Sequence, residues 1–278
     1  MVEKCSPKEK GETLEYSCYT PETLHKLKEI WNARHQDVKI RTNNTKEIWE
    51  SLRRLMSSSC NKESCWLKHK CLKNGMDDST LQKTFAPYQP LEWKKKPNEW
   101  LSSVDIQKVM KQYEKAYRCF EFMGPSPIDF DAHKLYGECV WEELCKFSLL
   151  DNIKRGKTKI GIIFNLDKHT QSGSHWVAMF INTKKRNITY MDSYGDEAPE
   201  EIDALAIRIQ KQATSIGMPF EYNTTTLRHQ YSNSECGMYC LHFIIESVKG
   251  KDWTYFNKIK ISDNKMKRLR KIYFNVNN

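Results

Sequence analysis

From Met238 to Val248 the chain reads Met-Tyr-Cys-Leu-His-Phe-Ile-Ile-Glu-Ser-Val, too apolar on every face to be anything but a buried helix. The rest of the chain is arranged around it. Cys236 stands at the start of this helix, just after the polar loop Tyr231-Ser-Asn-Ser-Glu235. The unpaired N–H groups and positive dipole end of a first helical turn favour a thiolate over a thiol. Cys236 is therefore the candidate nucleophile. Gly237, beside it, is expected to let a substrate backbone approach closely.

A nucleophilic cysteine needs a base. His175 opens the uninterrupted apolar run Trp176-Val-Ala-Met-Phe-Ile181, which reads as a central strand. After the polar turn Thr183-Lys-Lys-Arg186, a second strand, Asn187-Ile-Thr-Tyr-Met-Asp192, returns a carboxylate to the end where His175 sits. Strand geometry makes His175 and Asp192 neighbours, as suits a carboxylate that orients an imidazole. Gln230 lies on the loop entering the cysteine helix, where its amide could donate to a developing oxyanion together with the Cys236 N–H. His169, on the polar loop Asp167–Ser174, competes as a base but lacks a strand to fix it. His229 points opposite to Gln230 on an extended segment, and Cys240, one turn after Cys236, has apolar surroundings that suit an inert packed thiol.

The order His-Trp, Asp-Ser, Gln, Cys-Gly, preceded by Trp100-Leu-Ser-Ser-Val-Asp-Ile106, resembles the clan of cysteine peptidases that holds the SUMO proteases and the adenovirus protease. The likeness spans Trp100 to about Val248 and is nearest to the polyprotein-processing proteases of African swine fever virus and other large DNA viruses. The swine fever enzyme carries Asn where this chain has Asp192, which follows the SUMO-protease pattern instead. The resemblance implies an α+β fold, layered as α/β: an adenain-like, papain-like core whose mixed central sheet is flanked by helices, plus a helical arm. It implies that Trp100 and Trp176 form a narrow channel over the substrate's last residues, which selects Gly-Gly before the cut bond by steric rejection. The expected function is thiol endopeptidase action on viral structural polyproteins during virion maturation, in the host cytoplasm at the virus factory and in the virion. The expected partner is a protein substrate, either a viral polyprotein or a ubiquitin-like precursor or conjugate. A SUMO or ubiquitin isopeptidase would use the same residues, and an acetyltransferase of the same clan is a further alternative. The chemistry calls for no metal and no cofactor.

With 278 residues the chain can bury one good core and a small second unit, and the expected division is an arm over 1–92 and a protease core over 93–278. Thr20-Pro21 and Asn44-Thr45 read as helix starts in the arm. The spacing of Cys60, Cys65 and Cys71 is not a usual zinc pattern and suits structural cysteines better. Pro87 to Pro97 reads as the linker, and the prolines of Phe122–Phe130 predict a turn-rich surface passage. Pro199-Glu-Glu-Ile202 starts an amphipathic helix, with Ile202, Leu205, Ala206, Ile209, Ala213 and Ile216 inward, ending at Gly217.

The net charge of +10 is spread over Lys94–Lys96, Lys184–Arg186 and Lys265–Lys271; it reads either as a solvated basic face or as a surface for nucleic acid or an acidic protein. The ten cysteines would suit a disulfide scaffold, but the opening Met1–Lys10 lacks the apolar core of a signal peptide, so an intracellular, reducing compartment is expected. No run approaches the ~20 apolar residues of a membrane helix, so no membrane insertion is expected.

Overall fold

Helix α1 (Pro21–Arg34) begins where the sequence predicts, with the Thr20 side chain accepting from the Thr23 N–H and Pro21 at the first helical position. Asn44 caps α2 (Thr45–Met56) by accepting from the N–H groups of Lys46 and Glu47. The computed structural model describes residues 4–8, 14–67, 69, 80 and 83–276, arranged as two units: 1–89 with 272–278, and 90–271. In the first unit the apolar faces of α1 and α2 meet in one core, with Leu24, Leu27 and Trp31 facing Ile48, Leu52 and Met56. Each such fully buried side chain is worth about 1.5–3 kcal/mol relative to exposure.

Disulfides join Cys5 to Cys18 and Cys60 to Cys65 in this unit, and Cys139 to Cys145 in the second. The expectation of reducing surroundings did not include these bridges. Cys71, the third member of the zinc reading, lies outside the described residues.

The second unit is organised by a five-stranded sheet: β1 (Phe120–Pro127), β2 (Lys159–Asn165), β3 (Trp176–Asn182), β4 (Asn187–Met191) and β5 (Glu221–Thr225), in that spatial order. β2, β3 and β4 are antiparallel neighbours, while β1 runs parallel to β2 and β5 parallel to β4. β3 is buried at every residue, because helices cover both faces. On one face Ile160, Ile162, Val177, Met179 and Ile188 pack against Ile202, Leu205, Ala206 and Ile209 of helix α5 (Glu200–Ser215). On the other lie α3 (Ser103–Ala116) and α6 (Cys236–Val248). A Cβ at Gly161 would come within 2.8 Å of Ile244 on α6, so the missing side chain lets that helix sit close against the sheet. The mixed sheet between helices is the expected α+β architecture. A short helix α4 (Leu149–Lys154) precedes β2, and α7 (Trp253–Lys258) and α8 (Asp263–Tyr273) follow α6.

One predicted element is corrected. Phe122–Phe130 is not a surface passage, because Phe120–Pro127 forms β1 and pairs with β2. The register shifts between Met123 and Ser126, so Gly124 and Pro125 occupy an irregularity at the edge of the sheet, where a proline forfeits no ladder bond. Further on, Glu142–Cys145 forms a single helical turn, and an isolated bridge joins His133 to Cys139.

Among the described residues no helix is long and apolar enough to cross a membrane. Lys94–Lys96 and Lys184–Arg186 are exposed, but Arg270 is buried in an ion pair, so the third basic stretch is partly internal. The nucleic-acid reading gains no support from this distribution.

Candidate active site

The β3–β4 ladder sets Ala178 opposite Met191, and its continuation carries Asp192 to the strand end that His175 enters. The two side chains meet there, with His175 Nε2 2.8 Å from Asp192 Oδ1. That leaves Nδ1 as the ring nitrogen for Cys236, whose side chain is hydrogen-bonded to the same imidazole. Cys236 is the first residue of α6 and is buried. Three groups from distant parts of the sequence thus converge. Burial by itself would lower the His175 pKa, but the hydrogen bonds and negative charges of Asp192 and Cys236 push it up to about 9. At neutral pH the His175 ring is therefore held as imidazolium.

Asp192 is held from a second direction by the Tyr194 N–H, 2.8 Å from Oδ1. The Tyr194 ring stacks on His175 with centroids 4.9 Å apart, covering one face of the imidazole. Burial raises the Tyr194 pKa, and the charges of Cys236 and Asp192 add to the effect while Arg228 opposes it. The sequence reading missed Tyr194, since only its place after Asp192-Ser193 could have flagged it. Its turn depends on Gly195, where φ is +82° and a Cβ would lie 2.6 Å from the Thr226 carbonyl oxygen.

Gln230 is fully buried. Its Oε1 accepts from Ser193 Oγ at 2.7 Å, and its Nε2 donates to the Ser232 carbonyl at 2.5 Å. The remaining N–H points toward Tyr194 Oη at 3.3 Å, a long contact that a charged acceptor could displace. His229 is also buried, with Nδ1 accepting from the Ile261 N–H and its ring stacked on Tyr239. Burial raises Cys240 well above the usual thiol range, as expected of a packed thiol. His169 pairs with Asp129 instead of joining the site.

Trp176 is buried and donates from Nε1 to the Leu101 carbonyl at 3.0 Å, while Trp100 is 39% exposed. Both line a cleft of about 630 Å³ together with Leu101, Asn165, Asp167, Lys134 and Trp141. Cys236 and His175 do not line it. Two of its lining residues, Leu101 and Trp176, lie against Gly237, the neighbour of Cys236. At Gly237 the structure gives a reason other than room for substrate: a Cβ there would lie 3.1 Å from Leu101 and 3.3 Å from Trp176. The missing side chain lets the cysteine turn pack against the cleft wall.

The description "Ulp1 protease family, C-terminal catalytic domain" matches residues 155–278. A protein of Acanthamoeba polyphaga mimivirus named as a thiol protease is 31% identical over 77% of this chain and 70% of its own length. A SUMO-1 cysteine protease of African swine fever virus is 26% identical over 83% of this chain and 89% of its own length. The crystal structure of an African swine fever virus protease superposes with a TM-score of 0.71 at 21% identity, covering 99% of this chain and 96% of that one, which is a likeness of fold.

Proposed function

This chain belongs to the Ulp1 family of cysteine proteases, and on that premise we propose that it is an endopeptidase that cuts after Gly-Gly. The proposed substrates are viral structural polyproteins processed during virion maturation, in the host cytoplasm and the particle. The viral origin of the relatives supports a viral protein as substrate. One observation carries the specificity: Leu101 and Trp176, walls of the cleft that Trp100 also lines, close onto Gly237, the neighbour of Cys236. A side chain on the residue before the cut bond would have to displace a wall, and glycine has none.

In the proposed mechanism the Cys236 sulfur attacks the carbonyl carbon, and the tetrahedral oxyanion takes hydrogen bonds from the Cys236 N–H and from the Gln230 N–H that it draws away from Tyr194 Oη. The His175 imidazolium, kept charged by Asp192, protonates the departing amine and leaves a thioester. Water then attacks that thioester as His175 takes its proton, and the sulfur leaves as thiolate. Tyr194 keeps water off one face of the imidazole.

The swine fever relatives' name favours a second reading, removal of SUMO-like proteins by the same residues. The test is cleavage of Gly-Gly-Xaa polyprotein peptides beside SUMO and ubiquitin C-terminal reporters, with the parent chain and Cys236→Ser. The polyprotein reading expects peptide cleavage that the variant abolishes. Efficient cleavage of the reporters alone would replace it with the second, and cleavage persisting in the variant would remove Cys236 from the mechanism.

A further inference from the structure

Arg270 lies on α8, in a tail whose sequence carries no chemical motif. It is nonetheless 4% exposed, and its partner Glu235 is fully buried. Its Nε donates to Glu235 Oε2 at 2.9 Å, one terminal nitrogen to the Glu99 carbonyl at 2.7 Å, and the other to the Ser234 carbonyl at 3.1 Å. The guanidinium carbon lies 4.4 Å from the centre of the Trp93 ring. Desolvation offsets much of the attraction in a buried ion pair, so such a pair is weak evidence of a stabilising role in itself. What matters is what the three bonds hold.

Two of them hold Ser234 and Glu235, the residues just before Cys236. The third holds Glu99, the residue just before Trp100. The next carbonyl past that tryptophan, Leu101, accepts from Trp176, so Trp100 is tied on both sides. The other end of the nucleophile's loop is fixed from the same helix: Asp263 Oδ2 accepts from the N–H groups of Tyr231 and Ser232 at 3.1 and 3.0 Å. One helix thus braces both the turn that carries the sulfur and the strip that carries the cleft's exposed tryptophan.

We propose that Arg270 is a positioning residue that sets the spacing between the Cys236 turn and the Trp100 wall. It thereby governs both the reactivity of the sulfur and the selection of glycine; the second part rests on the Gly-Gly reading above. A planar fork reaches three separate acceptors at once, whereas a lysine ammonium on a flexible stem keeps the charge and loses that geometry.

The experiment compares the full parent chain with Arg270→Lys and Glu235→Gln, each checked by thermal melt. One arm measures kcat and KM on peptides with Gly or Ala before the cut bond. A second measures the rate of iodoacetamide alkylation at Cys236 in the folded protein. For Arg270→Lys the Gly-over-Ala ratio in kcat/KM is expected to narrow about tenfold, and kcat on the Gly peptide to fall about 10- to 100-fold, the scale of an ångström-sized misplacement. Alkylation should slow about threefold or more while the chain stays folded. A Gly-over-Ala ratio and alkylation rate equal to the parent's, with activity falling only in step with the folded fraction, would overturn the proposal. Should Arg270→Lys fail to fold, Glu235→Gln keeps the shape of the contact and carries the same two readouts. Should the parent show no preference for glycine, the Gly-Gly reading fails by itself, and the alkylation arm alone decides whether the brace stands.

Discussion

His169 Nδ1 lies 2.7 Å from Asp129 Oδ2, and His175 Nε2 lies 2.8 Å from Asp192 Oδ1. By distance the two pairs are alike, and both histidines sit beside the same cleft: His169 lines it, and His175 precedes its wall residue Trp176. Burial separates them, since the His169 side chain is 40% exposed and that of His175 14%. So does the third partner: His175 has a sulfur on its other side and a tyrosine ring over its face. Asp129 feels burial, but hydrogen bonds from the His169 ring and N–H lower its pKa on balance. A short imidazole–carboxylate contact is therefore not enough to make a base. The pair must also be shielded from water, so that charge is felt at full strength, and it must face a nucleophile.

Replacing His175 is the most direct way to break this comparison. His175→Ala is expected to lower kcat about 10⁴-fold, the usual scale for losing the base of a nucleophile–base unit, as read by initial rates on the preferred peptide. A loss of only a few fold would return His169 to contention.

Asp192→Asn sharpens the comparison by removing charge and keeping shape. The expected loss is about 10²-fold in kcat/KM. The pH profile should also move. In the parent, His175 surrenders its proton near 9, so activity that needs the imidazolium persists below that pH and declines above it. Removing the negative partner makes the imidazolium easier to deprotonate, so the alkaline limb must shift to lower pH. A shift to higher pH, or none, would show that Asp192 does not supply the charge.

His169→Ala should have the smallest effect. Partly exposed ion pairs contribute about 0–1 kcal/mol, so melting should change little and kcat should stay within about threefold of the parent. A change confined to KM would mark His169 as a residue that touches substrate across the cleft.

The difference between the two pairs was partly legible in the sequence, because an apolar strand follows His175 and only a polar loop surrounds His169. The capped starts of α1 and α2, the amphipathic α5 and the all-apolar α6 were legible for a similar reason: each is written into a few consecutive turns. β1 was not, because Pro125 and Pro127 mimic a loop, and only the register of the neighbouring strand shows that an edge tolerates them. At Gly237 the sequence suggested room for substrate, but its packing against Leu101 and Trp176, side chains far from it in sequence, was not legible. Tyr194 was marked only by its place after Asp192-Ser193, and Arg270 only as one charge in a basic stretch.

The chain order and spacing of Cys236, His175 and Asp192, the strand that stiffens the histidine and the helix that begins at the sulfur are properties of the sequence alone. Helical and strand periodicities repeat within a few residues, so they can be read without knowing the fold. The tertiary structure decided the rest: that Arg270 spends its three bonds on Ser234, Glu235 and Glu99, that Tyr194 covers the imidazole, and which cysteines pair. Those outcomes depend on which polar groups lose water together, and that follows from packing between segments distant in the chain, which no local pattern records.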